Sequence, residues 1–202
     1  MSIAEKLLFI AENQQKVFDA GKAAGGLNDL PAGYLKIDPA WTSWYMLFNG
    51  RPSMAQNLTY SDSANVTNFN GAFQSWTSLM GTFTIPSLDL RKATNIGSMF
   101  LYSDGIVEIG QMDISNATSV NYAFNGCTRL ERITFVPGCI KVSISFLASS
   151  LLDAGSVQSI IDGLADLTGK EQQTLTFHAT VGGKLNEEQK AQIAAKNWFL
   201  VY

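Results

Sequence analysis

Hydrophobic and polar positions follow a long repeat through the middle of the chain, and phenylalanine marks each repeat. The phenylalanines are separated by 25, 27, 24 and 22 residues, in similar frames: Phe48, Phe73, Phe100, Phe124 and Phe146. A recurrence of this length is typical of a solenoid in which each repeat makes one coil. We therefore predict that each ring occupies the same slot of its coil and stacks on the ring of the next coil.

Apolar and polar residues also alternate ahead of two of these phenylalanines. Residues 88–96 and 112–120 match position for position at an offset of 24, and in both segments apolar residues flank an aspartate, Asp89 or Asp113. Alternation with period two predicts a short strand with one buried face. Because the two aspartates recur in register, we expect them to bind turn or ladder amides rather than to act in acid–base chemistry.

The segment from Tyr122 to Ile133 resembles one repeat of the BspA-like leucine-rich-repeat family, whose pattern runs Phe, two residues, Cys, two residues, Leu, two residues and an apolar strand. The preceding Asp-Ile-Ser and Thr-Ser-Val elements are similar as well, whereas Phe73 and Phe100 have no Cys after them. Residues 4–21 and 175–198 resemble the two ends of such proteins from Gram-positive bacteria and their prophages. The resemblance implies a binding or structural module and brings no catalytic residues.

An amphipathic helix is predicted over residues 1–24, where Ser2 and Glu5 form a capping box. Its apolar stripe has heptad spacing: Ile3, Leu7, Ile10 and Val17. This helix either oligomerises or docks the chain, with a parallel trimer favoured, or it packs on the first coil as a cap. Residues 25–39 are predicted to be a linker, because Gly and Pro break the pattern there.

Residues 151–202 predict a helix–strand–helix–strand unit. Asp153 or Ser156 caps the first helix, residues 175–181 alternate as a strand, Asn186 and Gln189 form a capping box, and residues 198–202 make a last strand. The predicted fold class is therefore α+β. Residues 40–150 form a short, β-rich, leucine-rich-repeat-like solenoid, with an N-terminal helix before it and a C-terminal α/β capping unit after it.

Composition and motifs argue against several classes of function. Charged residues make up only 15% of the chain and the net charge is −3, which argues against a nucleic-acid partner. We find no nucleophile elbow and no phosphate-binding loop, and the single histidine, His178, lies in a predicted strand where a surface contact is favoured over a catalytic role. Cys127 and Cys139 do not specify a disulfide or a metal site. No enzyme activity, cofactor or metal is expected.

Aromatic residues are the candidates for ligand binding. Six of them lie near the start of the repeats or beside the recurring phenylalanines: Trp41, Trp44, Tyr45, Trp76, Tyr102 and Tyr122. Exposed rings beside Asn, Ser and Thr hold sugars by stacking and hydrogen bonding. The alternative is that these rings are buried and cap the first coils; it is favoured for Trp44, while Trp76 and Tyr102 are evenly balanced.

The expected function is that of a non-enzymatic bacteriophage virion protein, such as a fibre, tail tip or head appendage, that presents the repeats to a host glycan or protein. The expectation rests on an opening segment with no secretory signal peptide, since a virion protein needs no export device. No stretch reaches the ~20 apolar residues of a membrane span. The expected partners are further copies of the chain and other virion proteins. The alternatives are a bacterial adhesin and, less favoured, a glycan-active enzyme.

Overall fold

The computed structural model describes residues 37–55 and 58–202 of the chain. Its strands are β1 (Phe83–Ile85), β2 (Ile106–Met112), β3 (Arg132–Phe135), β4 (Ile144–Phe146), β5 (Gln173–Phe177) and β6 (Trp198–Val201). Its α-helices are α1 (Ala154–Gly163), α2 (Ala179–Gly182) and α3 (Glu187–Ala195), and two short 3₁₀ turns span Pro52–Ala55 and Tyr60–Ser63. The predicted docking residues Ile3, Leu7, Ile10 and Val17 lie outside the described residues.

The strands form two separate sheets of three parallel strands, in the orders β1-β2-β3 and β4-β5-β6. In the first sheet Glu108 pairs with Thr84 on one side and with Arg132 on the other. In the second sheet β5 lies in the middle, with Phe146 opposite Phe177 and Thr176 opposite Val201. Parallel neighbours need a crossover. The segment with α1 joins β4 to β5, and the segment with α2 and α3 joins β5 to β6.

Single β-bridges connect the segments that precede the phenylalanines. Parallel bridges join Ser43 to Asn68, Asn68 to Asn95, and Asn95 to Ser119. The threonine before each of the last three donates its hydroxyl to the threonine carbonyl of the previous segment, at 3.1 Å for Thr67 and 3.2 Å for both Thr94 and Thr118. Successive segments are thus layered in register although they do not form strands.

The recurring phenylalanines stack as predicted. Consecutive rings are nearly parallel, with centroid separations of 5.3, 5.6, 5.6 and 4.7 Å along Phe48, Phe73, Phe100, Phe124 and Phe146. A sixth ring, Phe177 of β5, continues the row at 6.2 Å from Phe146. These rings are essentially inaccessible to solvent, so the row is the spine of a core that runs through both sheets.

The predicted fold class, a leucine-rich-repeat-like solenoid between a helix and a capping unit, is wrong. The strands form two small sheets that close no solenoid, and the sheet is interrupted between β3 and β4. The segments before the first four rings form no strands because, two residues before each of these rings, Met46, Gly71, Ser98 and Tyr122 have φ between 53° and 65°. This left-handed backbone ends the extended conformation that a continuous strand requires, so these segments make single bridges only.

The C-terminal elements match the prediction closely but not completely. Asp153 is the cap of α1, since its Oδ1 accepts from the Ser156 N–H at 2.7 Å, and Asn186 and Gln189 form the capping box of α3. The strand predicted to reach residue 181 ends at Phe177. His178 instead caps α2, where its Nδ1 accepts from the Thr180 N–H at 3.1 Å. Within the described ranges, no helix is long and apolar enough to cross a membrane.

Candidate ligand-binding groove

The six predicted aromatics fall into two groups. Trp41, Trp44 and Trp76 are buried and pack in the core. Trp44 meets Phe48 and Phe69 edge to face, and Trp76 donates its indole N–H to the Phe48 carbonyl at 2.7 Å. The exposed group comprises three tyrosines with exposed fractions of 62%, 59% and 68%: Tyr45, Tyr102 and Tyr122. Only the tyrosines offer their rings to a ligand.

Two of these tyrosines have an uncommon backbone conformation. Each of the first four phenylalanines is flanked, two residues before and two residues after, by residues with positive φ. Tyr122 occupies the first of these positions at φ 59°, and Tyr102 occupies the second at φ 57°. Glycine occupies the corresponding positions at Gly71 and Gly126. A bulky side chain is strained in this region, so the two tyrosines are held there by the fold around them.

Each recurring phenylalanine and the segment around it form one layer of the stack. An open groove of about 490 Å³ lies where the Phe124 layer, residues 120–125, meets the second sheet. We call it the hydroxyl groove, after its many hydroxyl side chains. Its lining consists of Val120, Asn121, Tyr122, Asn125, Ser143, Ile144, Ser145, Leu147, Ala148, Thr174 and Thr176. Tyr122 and Leu147 are its exposed apolar members. The volume is within the ~300–1,000 Å³ of small-molecule sites.

The floor of the hydroxyl groove is the outer face of the second sheet. Alternation along β4 and β5 buries Ile144 with Leu175, and Phe146 with Phe177. The residues between them therefore point outward, and Ser145 lies opposite Thr176 in register. Thr174 of β5 pairs with Phe199 of the adjacent strand β6, and the exposed ring of Phe199 lies on the same face. Hydroxyl groups thus lie between Tyr122 and Phe199.

Several polar side chains of this groove have no partner within the described structure. The Ser143 hydroxyl is used, because it bonds Gln173 Oε1 at 2.9 Å and accepts from the Thr174 N–H at 2.9 Å. No hydrogen bond among the described residues uses the side chains of Asn121, Asn125, Thr174 or Thr176. Their amide and hydroxyl groups are therefore available to a ligand.

The groove is electrically neutral. Among its described lining residues, none carries a carboxylate, a guanidinium, an amine, an imidazole or a thiol. The ion pairs are elsewhere: Arg91 Nη2 lies 2.7 Å from Asp89 Oδ2, and Arg132 Nη2 lies 2.9 Å from Glu108 Oε2. An ionised ligand would find no compensating charge in the groove.

The recurring aspartates have the structural role expected of them. Asp89 Oδ1 accepts from the Arg91 N–H at 3.2 Å, and Asp113 Oδ1 accepts from the Ser115 N–H at 3.1 Å. The Arg91 guanidinium also hydrogen-bonds Asp89 and holds the pKa of its carboxyl below the usual range. Both carboxylates fix turns.

Both cysteines are buried free thiols. Cys127 Sγ donates to the Phe100 carbonyl at 3.1 Å, and burial raises its pKa to about 12. Burial also raises the pKa of Cys139. In the ranges that the structure covers, no group of three or more His, Cys, Asp or Glu residues could hold a metal ion.

Comparison with known proteins yields one family match. Residues 42–134 match the model of DUF285, described as a Mycoplasma protein of unknown function. This region contains the first four stacked phenylalanines and covers less than half of the chain. The assignment to the BspA-like leucine-rich-repeat family is therefore wrong, because the family that matches is a different one. No curated protein and no solved structure matches the chain.

Sequence reasoning found one side of the groove and missed the other. Tyr122 was among the candidates, whereas Ser143, Ser145, Thr174 and Thr176 were not. A signal for them is present: the quartets Ser-Ile-Ser-Phe, ending at Phe146, and Thr-Leu-Thr-Phe, ending at Phe177, share one alternation. Matching quartets of this kind predict two paired strands with hydroxyls on one face.

Proposed function

We propose that this protein is a non-enzymatic binding protein that holds a surface ligand in the hydroxyl groove, and that it does so as a structural component of a bacteriophage virion. The observation that supports binding most strongly is the groove itself. An exposed tyrosine, Tyr122, lies in a cavity of about 490 Å³ with the unpartnered amides of Asn121 and Asn125 and the unpartnered hydroxyls of Thr174 and Thr176. Such a surface binds by stacking and hydrogen bonding.

The chemistry of the lining supports binding rather than turnover. General acid–base catalysis needs a side chain that exchanges a proton near neutral pH, usually His, Asp or Glu. A serine or threonine nucleophile needs an adjacent base. The hydroxyls of Ser145 and Thr176 have no base among the described residues that line the groove.

The binding role is tested by blocking the groove. Thr176→Arg places a long charged side chain on the groove floor, and Leu79→Arg introduces the same side chain at a site that is 98% exposed and outside the groove. Flow cytometry measures the attachment of labelled protein to bacterial cells of the strain that encodes it. We expect Thr176→Arg to abolish attachment and Leu79→Arg to preserve it. Equal attachment by both variants contradicts the proposal.

The virion setting is tested separately. We expect peptides of this chain in phage particles that are induced from the encoding strain and purified by density gradient, with mass spectrometry as the readout. Peptides recovered only from the cell envelope favour the alternative, a bacterial adhesin. In that case the groove keeps its binding role, and the virion part of the proposal is wrong.

A further inference from the structure

Tyr122 combines strain with exposure. Its φ of 59° places a bulky aromatic residue in the left-handed region, and 68% of its surface remains in contact with solvent. Burial therefore offsets little of the backbone cost, and the corresponding positions of the other layers carry Met46, Gly71 and Ser98. The left-handed position recurs before each of the first four rings, so the fold sets this backbone, and an exposed aromatic side chain at that position distinguishes the Phe124 layer. The ring borders the hydroxyl groove and offers an exposed aromatic face to a ligand there.

The polar groups of the groove define the class of ligand. They are neutral amides and hydroxyls, which both donate and accept, and those of Asn121, Asn125 and Thr176 have no partner among the described residues. A phosphate, sulfate or carboxylate would be left without a counter-charge. A neutral sugar presents one apolar ring face and a rim of hydroxyls, which match the tyrosine ring and the floor respectively.

The floor is longer than one sugar ring. Neighbouring strands are about 4.8 Å apart, so the outer face spans about 10 Å from β4 to β6. It ends on Phe199, which is opposite Thr174 on the adjacent strand and 57% exposed. A glycan that crosses the strands therefore meets Tyr122 at one end and Phe199 at the other.

We propose that the hydroxyl groove is a site for a neutral oligosaccharide, with Tyr122 as the stacking platform, the amide and hydroxyl side chains of the groove as hydrogen-bonding partners, and Phe199 as a second platform for a further ring. This inference rests on the binding role proposed above and adds the class of its ligand.

The first test screens the full chain on an array of neutral, sialylated and sulfated oligosaccharides, followed by calorimetry with the best neutral tetrasaccharide. We expect neutral glycans to bind and anionic glycans to be weaker. Tyr122→Gly, which suits the left-handed backbone, should weaken binding about tenfold through loss of stacking. Thr176→Val should weaken it about fivefold through loss of one hydroxyl. Tyr45→Ala removes an exposed tyrosine outside the groove and should change nothing.

The contribution of Phe199 is tested by chain length. Phe199→Ser should weaken binding of the tetrasaccharide and leave the much weaker binding of the monosaccharide unchanged, because a single ring stacks on Tyr122. An equal loss for both sugars, or no loss for either, overturns the assignment of Phe199. A tetrasaccharide affinity that Tyr122→Gly leaves unchanged overturns the assignment of the site.

A second test separates this inference from the proposed function. Cells are treated either with periodate, which destroys sugar rings, or with protease, and attachment of the labelled protein is measured. Loss of attachment after periodate alone supports the inference. Loss after protease alone shows a protein partner and overturns the inference while the binding role stands. If the protein attaches to neither treated nor untreated cells and binds no glycan on the array, both the inference and the proposed binding role are wrong.

Discussion

At the scale of single residues, backbone conformation separates Tyr122 from Tyr45, which exposure does not. Tyr45 and Tyr122 are about equally exposed, but only Tyr122 has a left-handed backbone. A left-handed L-residue costs roughly 1–2 kcal/mol, whereas glycine adopts this region freely. The side chain of Tyr122 therefore carries a stability cost that glycine would not carry at this position.

The same strain leads to a prediction about stability. Tyr122→Gly should raise the free energy of unfolding by about 0.5–1 kcal/mol, because relief of the left-handed strain exceeds the flexibility that glycine adds to the unfolded chain. Tyr45→Gly is the matched control and should lower the free energy of unfolding by a similar amount, since no left-handed strain is relieved there. Urea unfolding followed by circular dichroism measures both. A loss of stability in both variants would show that Tyr122 is not strained.

The buried thiol of Cys127 predicts a pH dependence. Its pKa is raised from 9.0 to about 12 in the folded chain. Below pH 9.0 the thiol is neutral in both states and its burial contributes fully; between pH 9.0 and about 12 only the unfolded thiol ionises, so this contribution to stability falls as the pH rises. The stability difference between the native chain and Cys127→Ala should shrink between about pH 8 and about pH 10 in urea unfolding. A constant difference would contradict the burial.

The burial of the tryptophans could be predicted only in part from the sequence. The chain pattern favours burial of Trp44, which the structure confirms, but it leaves Trp76 evenly balanced between a buried and an exposed position. Burial depends on the layer that covers each ring: Trp76 is covered by its contacts with Phe73 and Phe83, and its indole N–H reaches a carbonyl of the preceding layer. The contact with the Phe48 carbonyl joins residues 28 positions apart, so a pattern of neighbouring residues cannot predict it.

At the scale of elements, a lysine holds the end of the first helix. Lys196, just after α3, donates its ammonium group to three carbonyls at the C-terminal end of α1: those of Ile161 at 2.9 Å, Asp162 at 3.2 Å and Leu164 at 2.9 Å. A helix end leaves its last carbonyls without partners, and a cation there also interacts favourably with the helix dipole. Burial lowers the pKa of this lysine.

We expect Lys196→Met to destabilise the chain by about 1–3 kcal/mol, because the carbonyls of α1 lose their partner. The control is Lys190→Met, which removes an exposed ion pair with Glu187 on α3 and should cost under about 0.5 kcal/mol. Thermal or urea unfolding measures both variants. Equal effects would show that the three hydrogen bonds do not tie α3 to α1.

Local signals predicted elements better than they predicted sheets. The caps at Asp153 and Asn186 are set by neighbouring residues and were readable. The end of β5 at Phe177 could not be read from the sequence, because the alternation continues past His178. The His178 side chain instead caps α2 by accepting from the Thr180 N–H. The single β-bridges before the first four rings were also missed, since they depend on left-handed residues such as Ser98 and Tyr122, whose residue types do not indicate that conformation.

At the scale of the whole molecule, the phenylalanine row joins the two sheets. Phe124 stacks on Phe146 at 4.7 Å, so the layer that carries Tyr122 is fixed against β4. The groove is formed at this junction, with Tyr122 on one side and Ser145 and Thr176 on the other. The row itself was predictable from the spacing of one residue type. The groove was not, because the register of β4 with β5 forms one side, and the other side comes from residues 120–125, which do not pair with either strand.

The central claim is that this groove is where the protein meets its ligand, and a nuclear magnetic resonance titration tests it most directly. The ¹⁵N-labelled chain is titrated with oligosaccharides released from the surface of the encoding strain. We expect the shifts in ¹H–¹⁵N spectra to concentrate on residues 120–125, 143–148 and 174–176. Shifts confined to the β1–β2–β3 sheet or to the region of Tyr45, with the groove unchanged, would contradict the account.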